Sequence, residues 1–144
     1  MTKKIALVTG GVGGIGSVIC RELAQKGYRV VAGYHPAEET AAKQKAVEWE
    51  VEGLDIHVVS GDVASFASCE KMAADIRAQH GTVQVLVNCA GITRDKTLKK
   101  MTEDDWNAVL NVDLNSLFNV TKQFIDGMTD AGFGRVVNIS SVNG

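Results

Sequence analysis

Five of the chain's 15 glycines fall within positions 10–16, and this cluster joins an apolar run to a helical pattern. The stretch reads Thr9-Gly10-Gly11-Val12-Gly13-Gly14-Ile15-Gly16. Upstream, residues 3–9 (KKIALVT) form a short apolar run of the kind that predicts a buried strand. Downstream, residues 14–26 place Ile15, Val18, Ile19 and Leu23 at helical spacing, and Gly27 stands where a helix C-terminus expects it. A strand that turns through glycines straight into a helix is the first half of a βαβ unit. It commits the chain to a parallel sheet with crossover helices.

The rest of the chain repeats that alternation. Strands are predicted over 28–33, 54–60, 83–87 and 135–140, and helices over 37–50, after Pro36, and 65–80. From residue 102, the residues Trp106, Val109, Leu110, Leu114, Leu117, Phe124, Ile125 and Met128 keep helical spacing across two helices. Thr102-x-x-Asp105 marks their start, an imperfect capping box with Asp where Glu or Gln is usual. The fold class is therefore α/β, a Rossmann-type doubly wound parallel sheet with right-handed crossovers. Five strands are found where that architecture has about six. The expectation is a single domain over 1–144, incomplete at its C-terminal side.

Composition closes off other classes. With 45% hydrophobic residues in 144, the chain has enough apolar side chain for a real core, and 22% charged residues argue against disorder. No apolar run approaches the roughly 18 residues of a membrane span. The opening Met1-Thr-Lys-Lys precedes too short an apolar stretch for a signal peptide, so a cytoplasmic protein is the default. A net charge of −2 gives no electrostatic footprint for nucleic acid. Cys20, Cys69 and Cys89 are few and widely spaced and read as small buried hydrophobes, while His35, His57 and His80 are scattered; no metal site is expected.

Gly11, Gly13 and Gly16 spell G-x-G-x-x-G, and Thr9, Gly10, Gly14 and Gly16 spell T-G-x-x-x-G-x-G. Both spellings permit a tight turn and close backbone approach, so that a pyrophosphate can sit on a helix N-terminus. A NAD site usually carries an acid at the end of the second strand, about 20 residues on. Here that end reads Ala32-Gly33-Tyr34-His35-Pro36, without an acid before Glu38. The absence favours NADP, although no arginine takes the acid's place; Glu38 and Glu39 read as the solvated first turn of a helix. Asp62, after the third strand, has two readings: an acceptor for the adenine amino group, or a turn residue at a helix entry. The small-residue loop Asn88-Cys89-Ala90-Gly91 follows the fourth strand, where a bound dinucleotide would pass.

Taken together, the glycine turn, the Asp after strand three, the N-x-A-G loop and the N-I-S-S ending of the fifth strand resemble the short-chain dehydrogenase/reductases in order and spacing. Within that family, Gly91-Ile-Thr-Arg-Asp95, Lys100-Met101-Thr102, Ser116-Leu-Phe-Asn-Val-Thr-Lys122 and Val137-Asn-Ile-Ser-Ser-Val-Asn-Gly144 are similar to the acetoacetyl-CoA reductases. These use NADPH to make an (R)-3-hydroxyacyl thioester for polyhydroxybutyrate synthesis. The 3-oxoacyl-[acyl-carrier-protein] reductases are nearly as similar, and a non-catalytic dinucleotide-binding module is the alternative from another class.

The resemblance implies that 1–144 is an NAD(P)-binding Rossmann domain, truncated before the family's Tyr-x-x-x-Lys segment, with a defined cofactor set. Gly10, Val12, Gly13, Gly14, Ile15 and Gly16 would line the pyrophosphate, and Gly61, Asp62 and Val63 the adenine. Asn88, Cys89, Ala90, Gly91, Ile92 and Thr93 would line the ribose and nicotinamide side. It makes Ser141 the catalytic serine, where the residues alone would favour a turn residue. Asp95 would face the substrate entrance. Lys100, with Arg94, Lys96 and Lys99, forms a basic cluster that suits CoA phosphates and equally suits a solvated loop. Two departures stand out. The family's catalytic asparagine falls on Asp113, which cannot donate as an amide does. The family's Tyr-x-x-x-Lys pair is absent, since the only tyrosines are Tyr28 and Tyr34. Loss of that proton donor costs about 10²–10⁴ in rate, so these 144 residues alone are expected to be inactive, and the full-length protein is expected to be a homotetramer.

Overall fold

A computed structural model describes residues 2–141. Five parallel strands run β1 (Ile5–Val8), β2 (Arg29–Tyr34), β3 (Ile56–Ser60), β4 (Val83–Asn88) and β5 (Arg135–Asn138), in the sheet order β3-β2-β1-β4-β5. The helices between them are α1 (Gly14–Gln25), α2 (Glu39–Val51, behind a 3-10 turn at Pro36–Glu38), α3 (Phe66–Gln79), α4 (Glu103–Val109) and α5 (Ser116–Asp130). The direction of winding reverses at β1, which pairs with β2 on one side and β4 on the other. That switch point opens a crevice at the strands' carboxyl ends.

Alternation along the central strands assigns each face its helices. Ile5 and Leu7 join Cys69, Met72 and Ile76 of α3 and Val120, Phe124 and Met128 of α5 in one buried cluster. Ala6 and Val8 point the other way, into a cluster with Cys20 of α1 and Trp49 of α2. Both faces of β1 are therefore covered, which is why it reads as an unbroken apolar run rather than an alternating one. At the sheet's edge the situation differs: all four residues of β5 are exposed, and Val136 and Val137 show apolar side chains to solvent.

Local chemistry explains the helix starts. Ser65 accepts from the Ser68 N–H at 3.2 Å and opens α3. The imperfect capping box forms in full: Thr102 Oγ1 accepts from Asp105 N, and Asp105 Oδ2 accepts from Thr102 N, both at 3.1 Å. Asp105 also pairs with Lys96 at 2.8 Å, and these partners hold its carboxyl down at about 2. The periodicity expected to run through two helices is broken differently from a loop. Residues Leu110–Asn115 form a π-helical turn that joins α4 to α5 without leaving helical conformation.

Candidate functional site

A cleft of about 970 Å³ lies at the carboxyl ends of β1–β4. Its floor is the glycine turn. Gly10 adopts φ +63°, and a Cβ there would meet the backbone of Ala90 at 3.0 Å. Gly11 donates to the Gly33 carbonyl at 2.9 Å, which binds the turn to the end of β2. Gly16 is excluded from any other identity by packing, since its Cβ would lie 2.0 Å from the Gly10 carbonyl oxygen. Gly14 meets nothing within 4 Å and faces open space.

The turn delivers α1 to the cleft with its N-terminus uncapped. The first intrahelical bond runs from Ser17 N to Gly13 O at 2.9 Å, and no side chain caps the helix. The N–H groups of Gly14, Ile15 and Gly16 precede that bond, and the first turn carries no acidic residue. A helix end with free donors, no competing carboxylate and open space beside it fits an anionic group such as a pyrophosphate.

Thr9, only 2% exposed, locks the opposite wall to this floor. Its Oγ1 accepts from both Cys89 N (3.0 Å) and Ala90 N (3.1 Å), and so fixes the loop after β4 against the end of β1. Burial pushes the Cys89 thiol up, and Cys20 behind the turn up to about 12, so both stay protonated thiols. The far end of the cleft is lined by Tyr34, the last residue of β2, by His35 and Glu38 just beyond it, and by Gly61, Asp62 and Val63 after β3. Asp62 Oδ1 accepts from Ala64 N at 3.0 Å, which is the geometry of a turn residue at a helix entry, while the residue also lines the cleft.

Gly10, Gly13–Gly16, Gly61–Val63 and Cys89–Ile92 thus come together around one space. Val12 packs against the α1–α2 core cluster instead. Asn88 is buried, and its amide donates to Asn138 Oδ1 (2.9 Å) and Thr121 Oγ1 (3.3 Å). It ties β4 to β5 and α5 and is not part of the cleft wall. Thr93, Asp95 and Lys100 sit on the exposed loop beyond the wall, where Lys96 is engaged by Asp105 and Arg94 alone of the basic cluster borders the cleft. Asp113, inside the π-turn, accepts from Ile92 N at 2.8 Å and so holds the β4 loop from the helix side. Ser141 is exposed, two residues past Ile139, which lines the cleft and donates to Asn88 O at 3.0 Å. Residues 142–144 of the 137–144 stretch lie outside the described residues.

Sequence reasoning missed Thr9, Tyr34 and His35 as site residues, and it read Glu38 only as a solvated turn. Thr9 could have been found, because a polar residue ending a fully buried strand needs partners. Glu38 is exposed as expected, but the 3-10 turn at Pro36–Glu38 brings it to the cleft wall. Among the described residues, no group of three or more His, Cys, Asp or Glu is placed to hold a metal.

The sheet order, the glycine floor and the open helix N-terminus together define a dinucleotide-binding α/β protein. Residues 4–144 match the family described as short chain dehydrogenase, and the chain belongs to that family. It is 56% identical over 141 residues to an acetoacetyl-CoA reductase of Allochromatium vinosum, covering 98% of this chain and 57% of the relative. It is 51% identical to an acetoacetyl-CoA reductase of Cupriavidus necator, covering 100% of this chain and 58% of that one. The chain therefore spans somewhat more than half the length of these relatives. Among solved structures it is similar to a gluconate 5-dehydrogenase from Burkholderia cenocepacia in complex with NADP and tartrate. That likeness has a TM-score of 0.89 and 34% identity, covering 99% of this chain and 55% of the other.

Proposed function

We propose that the protein is an NADPH-dependent acetoacetyl-CoA reductase that converts a 3-oxoacyl-CoA to the (R)-3-hydroxyacyl-CoA, the monomer thioester of polyhydroxybutyrate. The observation that carries this reading is identity of 51–56% to two such reductases across 98–100% of the chain. The uncapped N-terminus of α1 supports the dinucleotide, and the absence of an acid directly after β2 supports its 2′-phosphorylated form.

In this reading residues 1–144 are the cofactor-binding portion of one domain, and the Tyr-x-x-x-Lys pair of the family is supplied outside them. Bound NADPH supplies the hydride for the 3-keto carbon. The α1 N–H groups hold the pyrophosphate, and the loop Cys89–Ile92 borders the ribose. Ser141 donates a hydrogen bond to the carbonyl oxygen as negative charge develops there. Asp113 keeps the β4 loop in place as an acceptor. Asp95 and the basic loop around Lys100 lie on the side open to the CoA moiety. The protein is proposed to be cytoplasmic and homotetrameric; the exposed Trp106, Leu114 and Phe118 on α4–α5 support association of copies. No described helix is long and apolar enough to cross a membrane.

The test is NADPH oxidation by the full-length protein with acetoacetyl-CoA, compared with the same acyl group on a carrier protein. A higher kcat/KM for the CoA thioester and an (R) product are expected. Preference for the carrier-protein thioester would assign the protein to fatty acid synthesis instead.

A further inference from the structure

The cleft wall after β3 is tied to a helix that does not itself border the cleft. Gly61, Asp62, Val63 and Ala64 line the space, and most hydrogen bonds of this turn are local. Asp62 N donates to Ser68 Oγ at 2.8 Å, Ala64 N to Asp62 Oδ1 at 3.0 Å, and Ser65 N to Asp62 O at 3.0 Å. These bonds fix the turn's own shape and its join to α3. Gly61 N, donating to Tyr34 O at 3.0 Å, fixes the end next to β3. None of them sets where residues 62–64 stand against the rest of the molecule.

At Val63 that tie comes from 56 positions away. Asn119, buried in the first turn of α5, donates through Nδ2 to the Val63 carbonyl at 3.0 Å. Among the described residues it is the one hydrogen bond that reaches 62–65 from an element other than α3. The Val63 side chain packs against the cluster that holds Val120 and Phe124 of the same helix. One residue before Asn119, Phe118 stacks on Phe66, the first residue of α3, with ring centroids 6.0 Å apart and planes 24° apart. Thus α5 meets both the turn and the helix it leads into, while no described residue of α5 lines the cleft. Asparagine is a poor helix former, and burying its amide is costly unless it is paired. Here the pairing partner is a carbonyl on the cleft wall.

We propose that Asn119 is a positioning residue for cofactor binding: by holding the Val63 carbonyl it fixes residues 61–64 where the adenosine half of the dinucleotide meets them. This inference rests on the reading of the cleft as a dinucleotide site. The amide acts through the turn and touches no reacting atom. Its loss therefore costs affinity for the adenosine half and leaves the hydride step alone. The net worth of one hydrogen bond bounds that loss at about two- to tenfold.

The test uses the full-length protein as wild type, Asn119→Ala, Asn119→Asp and Met128→Ala. N119D keeps the side chain's shape but replaces the donor with an acceptor. Met128 is buried about two and a half turns further along α5, so M128A loosens the same helix away from Val63. Calorimetry gives dissociation constants for NADPH and for 2′,5′-ADP, which carries only the adenosine half. Urea midpoints report stability, and NADPH oxidation with acetoacetyl-CoA gives kcat and KM. Both Asn119 variants are expected to weaken the two ligands by the same factor, about two- to tenfold, and to raise the KM for NADPH with it, while kcat stays within about twofold. M128A is expected to lower the midpoint and leave both dissociation constants unchanged. If one Asn119 variant fails to fold, the other decides. Unchanged constants, a fall in kcat as large as the fall in affinity, or equal weakening in M128A overturns the inference and leaves the dinucleotide site standing. So does a wild type that binds NADPH but not 2′,5′-ADP. A wild type that binds neither overturns the site reading, and this inference with it. If wild type binds both but leaves acetoacetyl-CoA unreduced, the substrate assignment fails and the calorimetry alone decides.

Discussion

Thr9 offers the sharpest check on how the cleft is held together. Thr9→Val keeps the shape of the side chain at the end of β1 and removes only the oxygen. That oxygen accepts two backbone N–H groups, from Cys89 and Ala90, at 3.0 and 3.1 Å. A buried donor left without an acceptor costs about 1–3 kcal/mol. Cys89 and Ala90 are half-buried beside an open cleft, so water recovers part of the loss and the lower end applies to each. The expected loss is about 2 kcal/mol for the pair. Thr9→Ser is the control: it retains the oxygen and gives up one methyl, about 0.8 kcal/mol. Urea denaturation of the full-length protein should show a lower midpoint for T9V than for T9S, with unchanged slope. T9V should also weaken dinucleotide binding, because the freed loop forms one wall of the cleft. If the two variants agree within about 0.5 kcal/mol, the ordinary scatter of surface substitutions, the oxygen does not clamp the loop.

Other substitutions probe the remaining parts. Gly16→Ala should destabilise severely or fail to fold, because its Cβ would fall 2.0 Å from the Gly10 carbonyl oxygen; Gly14→Ala, with nothing within 4 Å, should keep the wild-type melting temperature. Asp113→Ala should cost about 0.5–1.5 kcal/mol in a denaturation midpoint by removing the acceptor for Ile92 N, and Asp113→Asn, which keeps an acceptor oxygen, should cost less. At the other end of the sheet, burial works to raise the Asp55 carboxyl, but hydrogen bonds from His57, Lys3 and Arg29 outweigh it and bring it down to about 2. A depressed carboxyl contributes stability above its unfolded value of 3.8 and loses it as pH falls toward 2. Asp55→Asn should therefore be less stable than wild type by about 1 kcal/mol at neutral pH. The gap should close in acid, as read from midpoints across that pH range.

The elements of this fold were legible because their periods differ. The two-sided burial of β1 and the helical spacing of α1 meet at glycines, and the structure reproduces that junction with boundaries shifted by one or two residues. The glycine turn and the loops after β3 and β4 were legible as walls of one cleft because a parallel sheet brings its strand ends together. Residues acting through non-local partners were not. Asn88 looked like a ligand contact in an N-x-A-G loop, but its amide is spent on Asn138, 50 positions away. Glu38 looked like ordinary helix-start chemistry, because no local pattern announces that a 3-10 turn will bring it to the cleft. The wide turn at 110–115 was hidden for a related reason: its apolar residues keep nearly helical spacing while the backbone takes up an extra residue.

That wide turn sets a phase. Each added residue in a helix rotates the downstream segment by roughly 100°, so a π-turn between α4 and α5 dials one helix relative to the other without a hinge. In this setting Ala108, Asn111 and Val112 face the cleft while Val120, Phe124 and Met128 face the core. Removing a single residue from 110–115 would let the rod relax to a regular helix and turn one of those two faces away from its target. The segment thus works as a mechanical index between the packed interior and the cofactor wall, and its length, more than its side chains, keeps the two in register.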